Sequence, residues 1–344
     1  MRFGYWMPIF GGWLRNVQDE GMSIAWPYIR DLAVESERHG FELSLIAELN
    51  LNDIKGHRAP SLDCWALAPA VAAVTDKLEL MLAVRPNYHS PSLTAKALST
   101  LDTIAPGRLS LNVVSSWWKD EAAQYGAPFD VHDARYARTQ EWLEVVSRLL
   151  REDTVTHKGA LYQLDGAVLE PKPARPPSVY MGGESPKAKD VIAHQADAYV
   201  MQGDAPEVIA GKVADMNDRR AQAGHPPLVF GVSGYVICRD TPAQAQAELD
   251  RILDVRSSPD AYASYQDFVA GSQLESRVSL EEYSVSNRGL RSDLVGTPDQ
   301  ITDRIRAYEQ AGVGLMLLQF SPQREEMARF GRDVISHYPA AALP

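Results

Sequence analysis

The chain alternates compact apolar runs with longer stretches whose hydrophobic positions recur at helical spacing. The apolar runs fall at 3–8, 41–47, 78–84, 108–114, 179–181, 198–201, 228–238 and 313–319. Each is short and bounded by glycine, proline or polar clusters, which predicts strands. Near-continuous apolarity, as in LELMLAV, predicts strands covered on both faces. Between them, helices are predicted from 27 to 39, from Ser61 or Asp63 to 74, and over 91–104, 133–151, 186–195, 297–312 and 324–338. In the first, Ile29, Leu32, Ala33 and Ser36 share one face and Gly40 supplies the stop. The helix over 133–151 carries Trp142, Leu143, Val146, Leu149 and Leu150 on its buried side, with Asp133 as its expected cap. Residues 153–170 instead alternate around two glycine turns, which predicts a β-hairpin.

Eight strands separated mostly by helices imply parallel pairing with right-handed crossovers, hence an α/β fold of the (β/α)8 TIM-barrel kind. An open doubly wound sheet is the alternative, but no Gly-x-Gly-x-x-Gly follows the first run. We expect one domain over 1–344, with insertions at about 48–60, 115–132, 153–176 and 256–292. Loops after barrel strands build the active face, so Met7-Pro8, Glu48, Arg85-Pro86, Ser115-Ser116, residues 182–185, Gln202 and Gln319 are expected around one mouth.

Composition narrows the function classes. The formal net charge of −11 disfavours nucleic acid and anionic membranes as partners. No apolar stretch is long enough to span a bilayer and the first residues lack a secretory pattern, so a cytoplasmic location is expected. Cys64 and Cys238 are far apart, and none of the eight histidines has metal-ligand spacing, so no metal is expected. Gly-x-Ser-x-Gly is also absent. Without metal, nucleophile elbow or acid/base pair, the hard chemistry falls to a bound cofactor.

Residues 178–189, SVYMGGESPKAK, read as a strand feeding a helix through a glycine turn, with Ser185 as N-cap and Pro186 at the first helical position. Free N–H groups at such a turn can cradle a phosphate, although the same pattern serves as an ordinary connection. Arg85 ends the third run and suits either an anion or a barrel carboxylate. Asn112, Ser115 and Ser116 stand at the end of the fourth. Tyr136 and Arg138 in HDARYART are in reach of a phosphate or are plain first-turn residues. Ser233 and Tyr235 share a face of the seventh run, and Asn287, Arg288 and Arg291 lie in a loop suited to an anion.

The succession FGYWMP, LAVRPNYHSPSLTAKALSTLDTIAPGRLSLNVVSSW, HDARYART and VYMGGESPKA resembles the bacterial luciferase-like flavin monooxygenases, nearest the alkanesulfonate and dimethyl sulfone branch. The resemblance implies a barrel that takes reduced FMN from a separate NAD(P)H-dependent FMN reductase and uses O2 to oxygenate a small organosulfur substrate with C–S cleavage. It also implies a homodimer or homotetramer. By matching position, Gly182, Gly183, Glu184 and Ser185 hold the FMN phosphate with Tyr136 as partner, and Ser115 hydrogen-bonds the cofactor. Ala83 and Val84 match a strand end where a non-prolyl cis peptide often lies under the flavin. Arg291 matches a closing arginine, and Ser61 a cysteine position near flavin and substrate.

The sulfonate branch carries an Arg-x-His pair on the seventh strand where this chain has Ser233-Gly234-Tyr235. A buried sulfonate without that arginine would be desolvated at a cost of roughly several kcal/mol. Trp6, Trp13, Trp117 and Trp118 suit a more apolar sulfone or nitrogen heterocycle. Ser61, Tyr235 and Arg291 are the expected catalytic residues, Trp6, Ser233 and Arg288 the expected substrate contacts, and residues 256–292 the expected lid. Glu184 is expected to turn its side chain outward. Deazaflavin-dependent hydride transfer, aldehyde luciferase activity and non-catalytic flavin binding are the other readings.

Overall fold

Eight short parallel strands close into a ring whose backbone hydrogen bonds are all made between neighbours. The computed structural model describes residues 1–17, 19–254, 265–266 and 279–338. The first half of the chain runs β1 (Arg2–Trp6), α1 (Trp26–Arg38), β2 (Leu43–Ile46), α2 (Cys64–Val74), β3 (Glu79–Val84), α3 (Pro91–Asp102), β4 (Leu109–Val113), α4 (Lys119–Gln124) and α5 (His132–Arg151). A hairpin of β5 (Val155–Lys158) and β6 (Gln163–Ala167) follows, then β7 (Ser178–Met181), α6 (Pro186–Gln195), β8 (Ala198–Met201), α7 (Pro206–Gln222) and β9 (Val229–Cys238). The remainder comprises α8 (Pro242–Leu253), α9 (Leu280–Ser284), a 3-10 segment (Ser286–Ser292), β10 (Leu294–Gly296), α10 (Pro298–Gln310), β11 (Leu315–Gln319) and α11 (Gln323–Asp333).

The ring order is β1, β2, β3, β4, β7, β8, β9, β11 and back to β1. Gly4 stands opposite both Leu43 and Leu317, which marks the closing seam. The expected (β/α)8 barrel is therefore the fold. β5 and β6 pair antiparallel as a separate ribbon, as their alternation predicts, and β10 adds to β9 outside the ring.

Two layers of apolar side chains follow from the strand period of two. Leu43, Leu45, Met81, Tyr180, Ala198, Leu315 and Leu317 fill the barrel. The larger layer lies between strands and helices, where α5 buries Trp142, Leu143, Val146, Leu149 and Leu150. Each such side chain contributes about 1.5–3 kcal/mol on removal from water. At the end of the barrel where the strands begin, Arg2 reaches Glu79 at 2.8 Å and Glu42 at 3.2 Å. The cavity therefore belongs to the other end.

Local signals set the helix starts. Asp63 accepts from the Ala66 amide at 2.6 Å, Ser185 caps α6, and Thr297 and Gln300 form a reciprocal capping box. Asp133 does not cap α5: the helix begins at His132 with Val131 before it, and Asp133 sits in the first turn, where the helix dipole favours a carboxylate. The first strand stops at Trp6 because Pro8 has no N–H to continue the ladder. The last helix ends at Asp333, followed by a 3-10 turn over Ile335–His337. Helices α4, α7, α8 and α9 and strand β10 come in addition to the strands and helices that periodicity predicts. Of the fourth expected insertion, 256–264 and 267–278 lie outside the described residues, so the expected lid is described only at 265–266 and 279–292.

Candidate active site

A cavity of about 380 Å³ opens at the C-terminal ends of the strands. Its floor is apolar, with Trp6, Leu45, Met81, Ala83 and Leu317 rising from β1, β2, β3 and β11. Phe10, Ile54 and Trp117 extend that surface from the loops. Ser233 contributes a hydroxyl that donates to the Met201 carbonyl at 3.3 Å.

One end of the cavity is a glycine cradle between β7 and α6. Gly182 and Gly183 line it, and Gly183 has φ of 142°, a backbone that L side chains rarely adopt. A Cβ on Gly183 would stand 2.7 Å from Ala188 Cβ and 3.2 Å from the Tyr136 hydroxyl. The Tyr136 hydroxyl is thus held against the turn, from the first turns of α5. Ser185 accepts from the Ala188 amide at 3.1 Å, so its hydroxyl organises the start of α6. Glu184 turns its carboxylate outward to Lys212 at 2.6 Å and is about half exposed, the direction expected from the sequence.

The wall opposite is a buried ionic cluster. Arg85, 2% exposed, binds Glu121 from α4 and lies 3.6 Å from Glu48. Glu48 also accepts from the Arg85 amide at 2.7 Å, and its second oxygen meets His89 Nε2. Tyr88 lies against the Arg85 guanidinium at 4.3 Å from its ring centre. Of the two roles open to Arg85, pairing with carboxylates is the one realised.

The roof is the 3-10 segment, where Ser286, Asn287 and Arg288 face the cavity. Asn287 and Arg288 have φ of 54° and 51°, which turns the chain sharply there. Gln319 donates to Ser286 Oγ at 3.0 Å, and a Cβ on Gly289 would stand 2.7 Å from Tyr235 Cβ. The Ser286 amide donates to the Trp13 carbonyl at 3.0 Å, which joins the roof to the loop after β1. Burial lowers the Arg288 guanidinium below its ordinary value, with Glu282 acting against that.

Charge is distributed unevenly. The lining carboxylates are all paired: Glu48 with Arg85 and His89, Asp53 with Arg15 at 3.1 Å, and Glu184 with Lys212. Arg135 and Arg288 add positive charge to the same lining. An anion is therefore favoured at the cradle end, and neutral, apolar matter over the floor.

Of the fourteen residues expected to act on cofactor or substrate, nine meet at this cavity: Trp6, Ala83, Ser115, Tyr136, Gly182, Gly183, Glu184, Ser233 and Arg288. Five do not line it. Ser61 donates to the Asn50 carbonyl at 3.4 Å. Val84 points into the layer beneath the helices. Ser185 caps α6. Tyr235 is 1% exposed beneath the roof, where burial pushes its hydroxyl well above the usual range. Arg291 is held by Glu282 at 2.9 Å and by Asp204 at 3.8 Å. The expected cis bond between Ala83 and Val84 is trans: both residues continue the regular β3 ladder opposite Asn112 and Val113, and the cis bonds among the described residues precede Pro171 and Pro322.

Sequence reasoning gave no site role to Arg135, which lies within HDARYART at the helix start, and missed the partnership of Glu48 with His89. Glu121 sits in an insertion with no local signal. Among the described residues, no group of three or more His, Cys, Asp or Glu is placed to hold a metal. No described helix is long and apolar enough to cross a membrane.

Comparison with known proteins agrees with this geometry. Residues 1–314 match the family model described as luciferase-like monooxygenase. The chain is 33% identical over 347 residues to an FMNH2-dependent dimethylsulfone monooxygenase of Pseudomonas putida, covering 97% of this chain and 94% of that one. Its identity to the protein of the same description from Pseudomonas fluorescens (strain Pf0-1) is 32%, covering 97% and 93%. The solved structure of DmoA from Hyphomicrobium sulfonivorans superposes with a TM-score of 0.78 at 19% identity, covering 98% of this chain and 87% of that one, a likeness of fold. The chain belongs to the luciferase-like monooxygenase family.

Proposed function

We propose that this protein is the oxygenase component of a two-component FMNH2-dependent monooxygenase acting on a small, neutral organosulfur compound, a sulfone, with C–S cleavage. The observation that carries this reading is the glycine cradle beside Tyr136 at one end of an apolar cavity whose lining carboxylates are all ion-paired. A flavin nucleotide fits such a site, since its phosphate needs a side-chain-free turn at a helix N-terminus and its ring needs an apolar floor. Backbone N–H groups of Gly182, Gly183 and Glu184, the Tyr136 hydroxyl and Arg135 would hold the phosphate, while Ser115 and Ala83 would meet the ring system. When bound, reduced FMN supplies the electrons that activate O2.

The chain's own residues bind, orient and exclude water. Ser185 fixes the cradle from the start of α6 and Tyr199 from the cavity lining. Trp6, Ser233 and Arg288 contact the substrate. Tyr235 and Arg291 hold the roof, and Ser61 supports the loop at Asn50. With Ser233-Gly234-Tyr235 on β9, no arginine of that strand meets a sulfonate, which favours a sulfone. The homology to dimethylsulfone monooxygenases supports the same choice. An NAD(P)H-dependent FMN reductase is the partner, a homodimer or homotetramer the assembly, and the cytoplasm the location.

Oxygen uptake with a flavin reductase, across dimethyl sulfone, alkanesulfonates, nitrogen heterocycles and a long-chain aldehyde, tests the reading. Uptake coupled to sulfone loss is expected. Loss of none of these substrates, together with turnover of a reduced deazaflavin, would overturn it.

A further inference from the structure

The buried wall of the cavity holds more acid than base. Glu48 and Glu121 bring two carboxylates, 5% and 0% exposed, to the single guanidinium of Arg85. Two negative charges against one positive leave the cluster one proton short of neutrality, in a place where an uncompensated charge is costly. The group placed to hold that proton is His89, whose Nε2 meets Glu48 Oε1. The pair spans the wall: Glu48 lines the cavity, while the His89 side chain lies behind it and is 23% exposed. The Trp142 indole donates to the His89 carbonyl at 2.9 Å, and the Trp65 ring lies 5.5 Å from the imidazole. Other titratable groups facing Glu48 are Tyr88 and the Cys64 thiol, which burial, assisted by Glu48, holds above its ordinary value.

We propose that Glu48 and His89 form the proton path from solvent into the cavity, with Glu48 the catalytic acid and His89 the positioning residue that recharges it. This rests on the monooxygenase reading. There, one atom of O2 enters the substrate and the other leaves as water. Reduced FMN bound as its anion brings two electrons and one proton, so the water needs one further proton. The protonated imidazole of His89 passes its Nε2 proton to Glu48, the Glu48 carboxyl delivers a proton to the departing oxygen, and solvent reprotonates His89. A cavity that must otherwise exclude water gains a proton without admitting bulk solvent.

The test compares Glu48→Gln, His89→Gln and His89→Gly with the unaltered protein. In the flavin-free protein, a downfield, slowly exchanging imidazole N–H resonance from His89 is expected, and Glu48→Gln should abolish it. In turnover, Glu48→Gln and His89→Gln should lose on the order of 10²-fold in the oxygenation rate with altered pH profiles. Reduced-FMN affinity should stay within about twofold of the unaltered protein, and added imidazole should restore His89→Gly. Unchanged pH profiles and rates in both Gln variants, or no rescue by imidazole, would overturn the proposal while leaving the monooxygenase reading intact. A failure of the unaltered protein to convert the sulfone with reduced FMN and O2 would overturn both.

Discussion

The hydroxyl of Tyr199 donates to the carbonyl of Gly183 at 2.9 Å, from a side chain with no exposure to solvent. The turn is thereby anchored from the β8 side, leaving its amides to the cavity. Tyr199→Phe removes one buried hydrogen bond and should cost about 0.5–1.5 kcal/mol of stability. It should weaken reduced FMN binding several-fold more than riboflavin binding, as read by fluorescence titration.

Gly183→Ala has a sharper effect, because the new methyl meets both Ala188 and the Tyr136 hydroxyl in a left-handed backbone. Strain of about 1–3 kcal/mol is expected. Preference for FMN over riboflavin should fall about tenfold. Equal affinity of the unaltered protein for FMN and riboflavin would sink the phosphate cradle altogether.

Glu121→Gln removes the carboxylate that holds the buried Arg85 guanidinium directly and leaves it Glu48 at 3.6 Å. Breaking a buried pair from one side costs about 3–5 kcal/mol. The urea midpoint should drop accordingly, and Arg85→Met with Glu121→Met together should cost less than the single change.

Stability should also fall in alkali. Burial pushes the Cys238 thiol up to about 11 from its ordinary value of 9.0. It likewise pushes the hydroxyls of Tyr5 and Tyr180 up to about 12 from 10.0. The unfolded chain loses these protons first, so their contribution is fully present below pH 9 and is lost as pH rises through about 12. Melting temperature followed across that window should decline steadily, and both thiols should resist modification until the fold opens.

The strand–turn–helix at 178–195 was legible because its signals are local: an apolar run, two glycines, a capping serine and a proline at the first helical position. The outward turn of Glu184 followed from the same local logic. Tyr235 was harder. Its period-two kinship with Ser233 is real, but the roof brought by Gly289 buries it, and that contact joins residues 54 positions apart. Arg85 and Glu121 meet across 36 positions with no pattern linking them. Arg291 has the charge for an anion, but Glu282 and Asp204 already engage it. Periodicity and capping report on neighbours in the chain, whereas these partnerships depend on how loops from different strands converge.

The seam between Gly4 and Leu317 has a consequence for how the protein forms. Trp6 and Leu317, from the two strands that meet there, are both part of the cavity floor. Bringing those strands together spans about eight times more chain than pairing Gly4 with Leu43, roughly 2 kcal/mol of additional loop entropy. A nascent chain halted before β11 leaves β1 and β9 as raw edges and has no floor to receive a ring. Function in this barrel is thus an all-or-none product of synthesis, complete only when the last strand is threaded beside the first.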